Sequence, residues 1–415
     1  MKRSQRLVLA LLLTGIASSA SAAPDEDKLG KAQGYPIGTL NNYFFDESVR
    51  VGSFSSQGEI PRIKVNALAP SDSPMALSRS DSEPSIRWDV DHLKRLTVDD
   101  YLARQRIMGL LIIKDGVIQV ERYQYDRKPS HRFLSNSMAK SITSLAVGIA
   151  LHEGKIASLD DPAERYAPKL AGTLYGGTTI RNLLRMASGA RFTENYDGKD
   201  DLARFGLVAA RDGVEAAANL ITERDAPQGA RFSYGSAQTD MLAVVLRGAT
   251  GMTLSEYLTP CLWQPIGAET SALWRVDGTG LEIAAGNFNA TLRDYGRLGI
   301  VLANDGVRPD DPQHKQIISR DYLLDATDWH RFPEAFQPGK ATPYYGYGYQ
   351  FWVFPGEKRR FAFLGVYGQM ILIDPELKLV MVQTAANATA KPGQTTLAKD
   401  ADAFWRAIVR HYGSW

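Results

Sequence analysis

Along residues 135–154 the apolar positions Met138, Ile142, Leu145 and Ile149 recur every three or four residues, which predicts a helix with one apolar face. Gly154 stands where a left-handed residue would end it. The run is too apolar for a surface helix, yet Ser137 and Lys140 lie in its first turn. Upstream, Leu110-Leu111-Ile112-Ile113 and Val117-Ile118-Gln119-Val120 flank Lys114-Asp115-Gly116. Two β-rich runs around Asp-Gly predict a hairpin over 107–123.

Downstream, 155–300 reads as mostly helical. Segments 179–186, 214–221, 236–251 and 291–302 carry helical spacing, the third with Met241, Leu242, Val245 and Leu246 inward. Thr253 with Glu256 forms a capping box for a further helix. β-rich runs return at 349–354, 360–365, 369–373 and 379–384, with Asp374-Pro375-Glu376 turning between the last two. The stretch 395–409 then places Leu397, Ala401, Phe404, Trp405 and Ile408 on one face of a closing helix. This order predicts an α+β fold: an antiparallel β-sheet flanked by helices and built from both ends of the chain, with 155–300 as a mostly α-helical second lobe. The helix carrying Ser137 is expected between the lobes.

The N-terminal residues change the picture. Residues 1–22 combine a basic start, an apolar run over 7–16 too short to span a bilayer, and Ala20-Ser21-Ala22 as a cleavage site. They are expected to be a signal peptide, leaving a periplasmic or secreted mature chain from near Ala23. Residues 23–95 are rich in Pro, Ser, Asp and Gly and lack periodicity, which predicts an extended segment wrapping a body that spans 96–415.

At 415 residues and 44% hydrophobic, the chain has enough apolar material for a large core. Its net charge of +2, without a basic run, gives no reason to expect a nucleic-acid partner. No cysteine follows the apolar N-terminal run, so no lipid anchor is expected. Cys261 is the sole cysteine, excludes an internal disulfide and, beside Leu262, reads as a core thiol. The six histidines lack ligand spacing, and neither His-Glu-x-x-His nor Gly-x-Ser-x-Gly occurs, so no metal or other cofactor is expected.

Ser137 and Lys140, three apart, share a helix face at an N-terminus that supplies N–H groups and positive potential. A lysine kept neutral by burial takes the serine proton, and the Ser137 N–H faces the oxyanion formed as Oγ attacks a carbonyl. A second proton-handling group is needed. Tyr234, in a turn-rich segment just before the helix at 236, is the candidate; beside a cationic lysine its phenol is expected to lose or share its proton. In Gly365-Val366-Tyr367-Gly368-Gln369 the glycines flank a strand edge, making the Gln369 N–H the candidate second oxyanion donor.

In this order and spacing, Ser137-Met138-Ala139-Lys140, Tyr234-Gly235-Ser236 and Val366-Tyr367-Gly368-Gln369 resemble the motifs of the serine β-lactamase and penicillin-binding-protein superfamily. Further landmarks are Val51-Gly52-Ser53-Phe54, Leu184-Arg185-Met186-Ala187-Ser188-Gly189, Glu194 and Tyr196, Tyr347-Gly348-Tyr349-Gln350-Phe351-Trp352, and Ile373-Asp374-Pro375. With them the chain is similar to the 6-aminohexanoate-dimer hydrolase and esterase branch related to class C β-lactamases. The resemblance implies Ser137 as acylated nucleophile, Lys140 as base, Tyr234 as proton shuttle, and the Ser137 and Gln369 amides as oxyanion hole. Ser236, Val366, Tyr367 and Gly368 are then expected at the substrate.

Two departures narrow the expected activity. Ser236 replaces the asparagine of Tyr-x-Asn, and Val366 stands where the lysine of Lys-Thr-Gly would be, so a cation for a substrate carboxylate is missing there. Small carboxylic esters, then linear amides, are the expected substrates. The alternatives are a penicillin-recognising D,D-peptidase or β-lactamase, and a catalytically silent binding module. The run Tyr344-Tyr345-Gly346-Tyr347-Gly348-Tyr349 reads as a cleft wall or as strand packing. Glu194, Asp197, Asp200 and Asp201 read as a solvated loop, with attraction of a substrate ammonium as the alternative.

Overall fold

A computed structural model describes residues 23–391 and 393–415; the expected signal peptide at 1–22 lies outside the described residues. After two short 3-10 turns, Lys31–Gln33 and Glu47–Val49, the described residues form helix α1 (Arg50–Ser55), strand β1 (Val65–Leu68) and the hairpin β2 (Trp88–Val90) and β3 (Leu93–Leu96). Helix α2 (Val98–Arg104), the long hairpin β4 (Ile107–Lys114) and β5 (Val117–Tyr123), and the short β6 (Phe133–Leu134) lead into the serine helix α3 (Met138–His152). The second lobe holds α4 (Ile180–Leu184), α5 (Asp201–Asp212), α6 (Val214–Ala217), α7 (Ser236–Thr250) and α8 (Leu254–Leu258). Strands β7 (Ala272–Arg275) and β8 (Phe288–Ala290) follow, then α9 (Leu292–Ala303) and α10 (Arg320–Thr327). The chain closes with β9 (Gly346–Tyr347), β10 (Trp352–Val353), β11 (Phe361–Gly365), β12 (Gln369–Asp374), β13 (Leu379–Ala385) and α11 (Leu397–Tyr412).

Both ends of the chain build one seven-stranded sheet, ordered β5-β4-β13-β12-β11-β10-β9. Every pairing in it is antiparallel. Side chains alternate along each strand, so the sheet feeds two cores. Leu111, Ile113, Ile371 and Val380 join the core that contains α3 and α9. Leu110, Ile112, Leu372 and Met381 face Phe404, Trp405 and Ile408 of α11. The β4–β5 turn has positive φ at both Asp115 and Gly116, the geometry that makes Asp-Gly a hairpin dipeptide.

Several expectations need correction. The 155–300 segment is mostly helical as expected, but it adds two strands that the spacing does not show: β7 and β8 pair with β1 and β6 in a second sheet, ordered β1-β7-β8-β6. These strands are only three or four residues long, and β7 takes its outer partner, β1, from far upstream. Residues 23–95 are more ordered than their composition predicts, since all of α1 is buried. The expected strand at 349–354 is broken at Gln350, whose φ is 65°. Its buried amide donates to Leu183 O and Leu184 O and accepts from Thr239, tying α4 to α7, a task that a continuous strand would prevent. Cys261 packs against the core as expected, and burial pushes its thiol up to about 12. No described helix is long and apolar enough to cross a membrane.

Helix α3 is held tightly along its length. Gly148 faces the Tyr322 ring so closely that an added methyl would overlap it. The ring has no room to swing aside, because its hydroxyl is bound to Ser144 Oγ and Ser144 O, each at 2.8 Å. Gly148→Ala is therefore expected to destabilise the fold by about 1–3 kcal/mol in urea unfolding, although alanine is the better helix former. A stabilised variant would contradict this packing.

Candidate functional site

The second sheet delivers Ser137 to the seam between the lobes. Ser135 N–H donates to Phe288 O at 2.7 Å, and Asn136 then adopts a left-handed φ of 44°. Asparagine tolerates that region better than most residues. Its Nδ2 donates to Val366 O at 3.0 Å, joining this turn to the end of β11. Gly365 lies against the Ser135 carbonyl, where a Cβ would overlap it. Ser137 takes the N-cap position of α3 without a capping hydrogen bond from its side chain and, in the run 133–150, is the single residue that is not buried.

Lys140 is only 2% exposed. Its Nζ lies 3.0 Å from Ser137 Oγ and donates to Ala285 O at 2.7 Å. The same nitrogen sits 5.1 Å from the centroid of the Tyr234 ring, whose hydroxyl faces both Ser137 and Lys140. Burial holds the Tyr234 phenol above its ordinary pKa despite the opposing Lys140 charge, and Glu194 adds to the rise. Outright loss of the proton is therefore opposed by burial, while sharing it with Ser137 or Lys140 stays open to this phenol. Loss of water around the hydroxyl outweighs the nearby cation.

Gln369 begins β12 and borders the same cavity as Ser137. Its side chain serves the sheet: Nε2 donates to Ala385 O at 2.7 Å and Oε1 accepts from Ala385 N–H at 3.1 Å, bridging the irregularity in β13. Only its backbone is therefore available to a ligand. Val366 and Gly368 also border the cavity. Tyr367 does not belong to the substrate side. Its ring is 4% exposed and packs 5.1 Å from Phe44 and 5.5 Å from Phe54, beneath the Arg50 guanidinium at 4.2 Å. A left-handed φ of 63° turns it into that core, which explains the Val51-Gly52-Ser53-Phe54 landmark: α1 is the bed for the turn before Gln369.

These positions belong to a chain that matches the family described as beta-lactamase over residues 95–403. The chain belongs to the β-lactamase family. It is a serine hydrolase by class. It is 29% identical over 325 residues to a 6-aminohexanoate-dimer hydrolase of Paenarthrobacter ureafaciens, covering 75% of this chain and 81% of that protein. Its fold superposes with a TM-score of 0.79 on a Bacillus anthracis protein provisionally named a 6-aminohexanoate-dimer hydrolase, at 23% identity, covering 90% of this chain and 98% of the other. A family VIII carboxylesterase shares the fold with a TM-score of 0.55 at 16% identity, covering 74% and 93%.

Within this family fold, two chambers meet at Ser137. The larger, of about 280 Å³, runs between β11, β12 and α11 and is walled by Tyr234, Tyr345, Trp352 and Phe354. Tyr234 stacks on Trp352 with centroids 5.8 Å apart. From the aromatic run, Tyr345 lines this chamber and Tyr347 backs Tyr234, whereas Tyr344 bonds Asp402 and Tyr349 accepts from Arg181. The smaller, of about 140 Å³, is bordered by Asn136, Glu194, Ser236, Asp240 and Asn287. Ser236 therefore faces the polar side: its Oγ donates to Glu194 Oε1 at 2.9 Å and its N–H to Glu194 Oε2 at 2.7 Å. Tyr196 donates to the same carboxylate at 2.6 Å. Of the four loop acids only Glu194 reaches the site. Asp197 and Asp200 cap local turns and the start of α5, and Asp201 pairs with Thr193.

Asp240 was not legible as a site residue, although it lies one helical turn beyond Ser236 on the inward face of α7. Its Oδ1 accepts from Ala285 N–H at 2.9 Å, on the residue whose carbonyl holds Lys140. Burial pushes its carboxyl up to about 7, against the Ala285 N–H and the Lys140 charge. A raised folded-state pKa means that the group's stabilising contribution is full below the ordinary carboxyl range and is lost as pH rises through about 7. Asp240→Asn keeps an acceptor for Ala285, so the variant is expected to melt higher than the parent at pH 8. The gap should close as pH falls toward about 4. A gap independent of pH in thermal unfolding would refute this assignment.

Proposed function

We propose that this protein hydrolyses small carboxylic esters, and linear amides as a second class, through an acyl-enzyme on Ser137. The observation that carries the reading is the 3.0 Å approach of the buried Lys140 Nζ to the one solvent-reaching serine of the α3 start. Acting as base, the amine keeps an N–H on Ala285 O and faces the Ser137 hydroxyl. Lys140 accepts the proton as Oγ attacks the carbonyl, and the developing oxyanion lies toward the Ser137 and Gln369 amides. Ser137 N–H is one of the helix-start donors that have no acceptor within the helix.

Tyr234, whose ring lies 5.1 Å from Lys140 Nζ, relays the proton to the departing oxygen or nitrogen. Water then attacks the acyl-enzyme and releases the acid. Val366 borders the site where the penicillin-recognising relatives carry a lysine, which favours substrates without a carboxylate at that point. The relative named for hydrolysing the 6-aminohexanoate dimer supports linear amides as the second class. The basic, apolar and small-residue order of 1–22 supports export, and this reading places the mature enzyme in the periplasm or outside the cell.

The roles separate in kinetics. With p-nitrophenyl butyrate, Lys140→Ala is expected to lower kcat by about 10³-fold or more, and Tyr234→Phe by about 10²-fold, with both variants folded by circular dichroism. Undiminished kcat in folded Lys140→Ala would remove the lysine from the mechanism.

A further inference from the structure

The two chambers differ in chemistry, and Tyr234 borders only one of them. Ser137, Tyr196 and Val366 are common to both, whereas Tyr234 lines the large chamber and Asp240, Glu194 and Asn136 line the small one. A group that returns a proton to the leaving atom must stand on the side where that atom departs. We propose that the large chamber is the leaving-group pocket, built for an apolar alcohol or amine, and that the acyl part occupies the small chamber. This proposal rests on the reading that Ser137 is acylated and that Tyr234 relays the proton.

The large chamber suits such a group. Its depth is apolar: Leu364, Met370 and Leu372 come from the sheet, and Leu397, Ala398 and Ala401 from α11. The aspartate that borders it, Asp402, already accepts from Tyr344 and Arg406, so its charge is answered by the protein. Lys391, at the rim, donates to Asn195 Oδ1 at 3.0 Å and ties the loop before α11 to the loop carrying Glu194. The space is long enough along α11 to take an alkyl chain of several carbons. The small chamber sets Glu194, Asp240 and Asn136 among apolar Phe44, Leu202, Phe205 and Ile283, and at about 140 Å³ it has half the space of the other, which limits the length of an acyl chain.

The step balances without a further reagent. Ser137 Oγ bonds to the carbonyl carbon, the bond from that carbon to the alkoxy oxygen or amine nitrogen breaks, and the proton lost by Oγ leaves on that atom. The apolar alcohol or amine is released from the large chamber before water enters to hydrolyse the acyl-enzyme.

Two ester series test the assignment on the full-length mature enzyme. Acetate esters from ethyl to octyl, followed by pH-stat, vary the leaving group; p-nitrophenyl esters from acetate to octanoate vary the acyl group. The proposal expects kcat/KM to rise by about tenfold or more from ethyl to octyl acetate, since each buried methylene adds to binding, and not to rise along the acyl series. Ala401→Phe, which fills the chamber from α11, should lower the octyl-to-ethyl ratio by about tenfold, and Leu364→Trp should do the same from the sheet side if the first variant fails to fold. A flat alcohol series, a rising acyl series, or a ratio untouched in both folded variants would overturn the pocket assignment while ester turnover stands. Absence of turnover on every ester would instead overturn the acyl-enzyme reading, and this proposal with it.

Discussion

Lys140 carries its amine into a place from which water is almost excluded, and much of the site is arranged around that constraint. An uncompensated ammonium there would cost several kcal/mol. The protein answers with Ala285 O, Ser137 Oγ and the face of the Tyr234 ring, three partners drawn from three separate stretches of chain. Asp240 then fixes Ala285 from its N–H side. The contacts that satisfy the amine are also the ones that aim it at Ser137, so packing and chemistry impose the same geometry. The left-handed Asn136, anchored to Val366 O, completes the arrangement by presenting Ser137 to the cavity instead of to the core.

Two sheets meet at this point, and each has a distinct duty. The small one, through β6 and β8, sets the turn that precedes Ser137. The large one brings the Gly365 end of β11 and the start of β12 against it, with α11 packed over the opposite face. The chamber between that face and α11 is therefore a consequence of the fold: side chains from both cores converge near the serine but leave space between them. The smaller chamber draws on the second lobe, where Glu194 gathers Ser236 and Tyr196, and on Phe44 from the N-terminal segment.

Local signals in the sequence located most of the frame. The Asp115-Gly116 hairpin, the Thr253–Glu256 capping box and the apolar stripe of α3 depend on residues within a few positions of one another, so their pattern is self-contained. The Ser137, Lys140 and Tyr234 assembly was legible because motif order stands in for distance along the chain. What escaped depends on remote partners. The strands β7 and β8 are too short to show a period and exist because β1 and β6 flank them. Gln350 breaks an apparent strand to satisfy carbonyls of α4. Tyr367 lies inside a motif yet turns away, because Arg50 and Phe54 from a composition-poor segment make a bed for it. The raised pKa of Tyr234 escaped for the same reason: the nearby cation is visible in the sequence, while the loss of water is a property of the packed site.

The central claim is that Ser137, and no other residue, is the nucleophile of this enzyme. Intact-protein mass spectrometry after treatment with a fluorophosphonate tests it most directly, with Ser137→Ala beside the parent. A single covalent adduct on the parent and none on the folded variant is the result predicted by the Lys140 and Ser137 geometry. An adduct of equal yield on Ser137→Ala, or none on a folded parent, would contradict it.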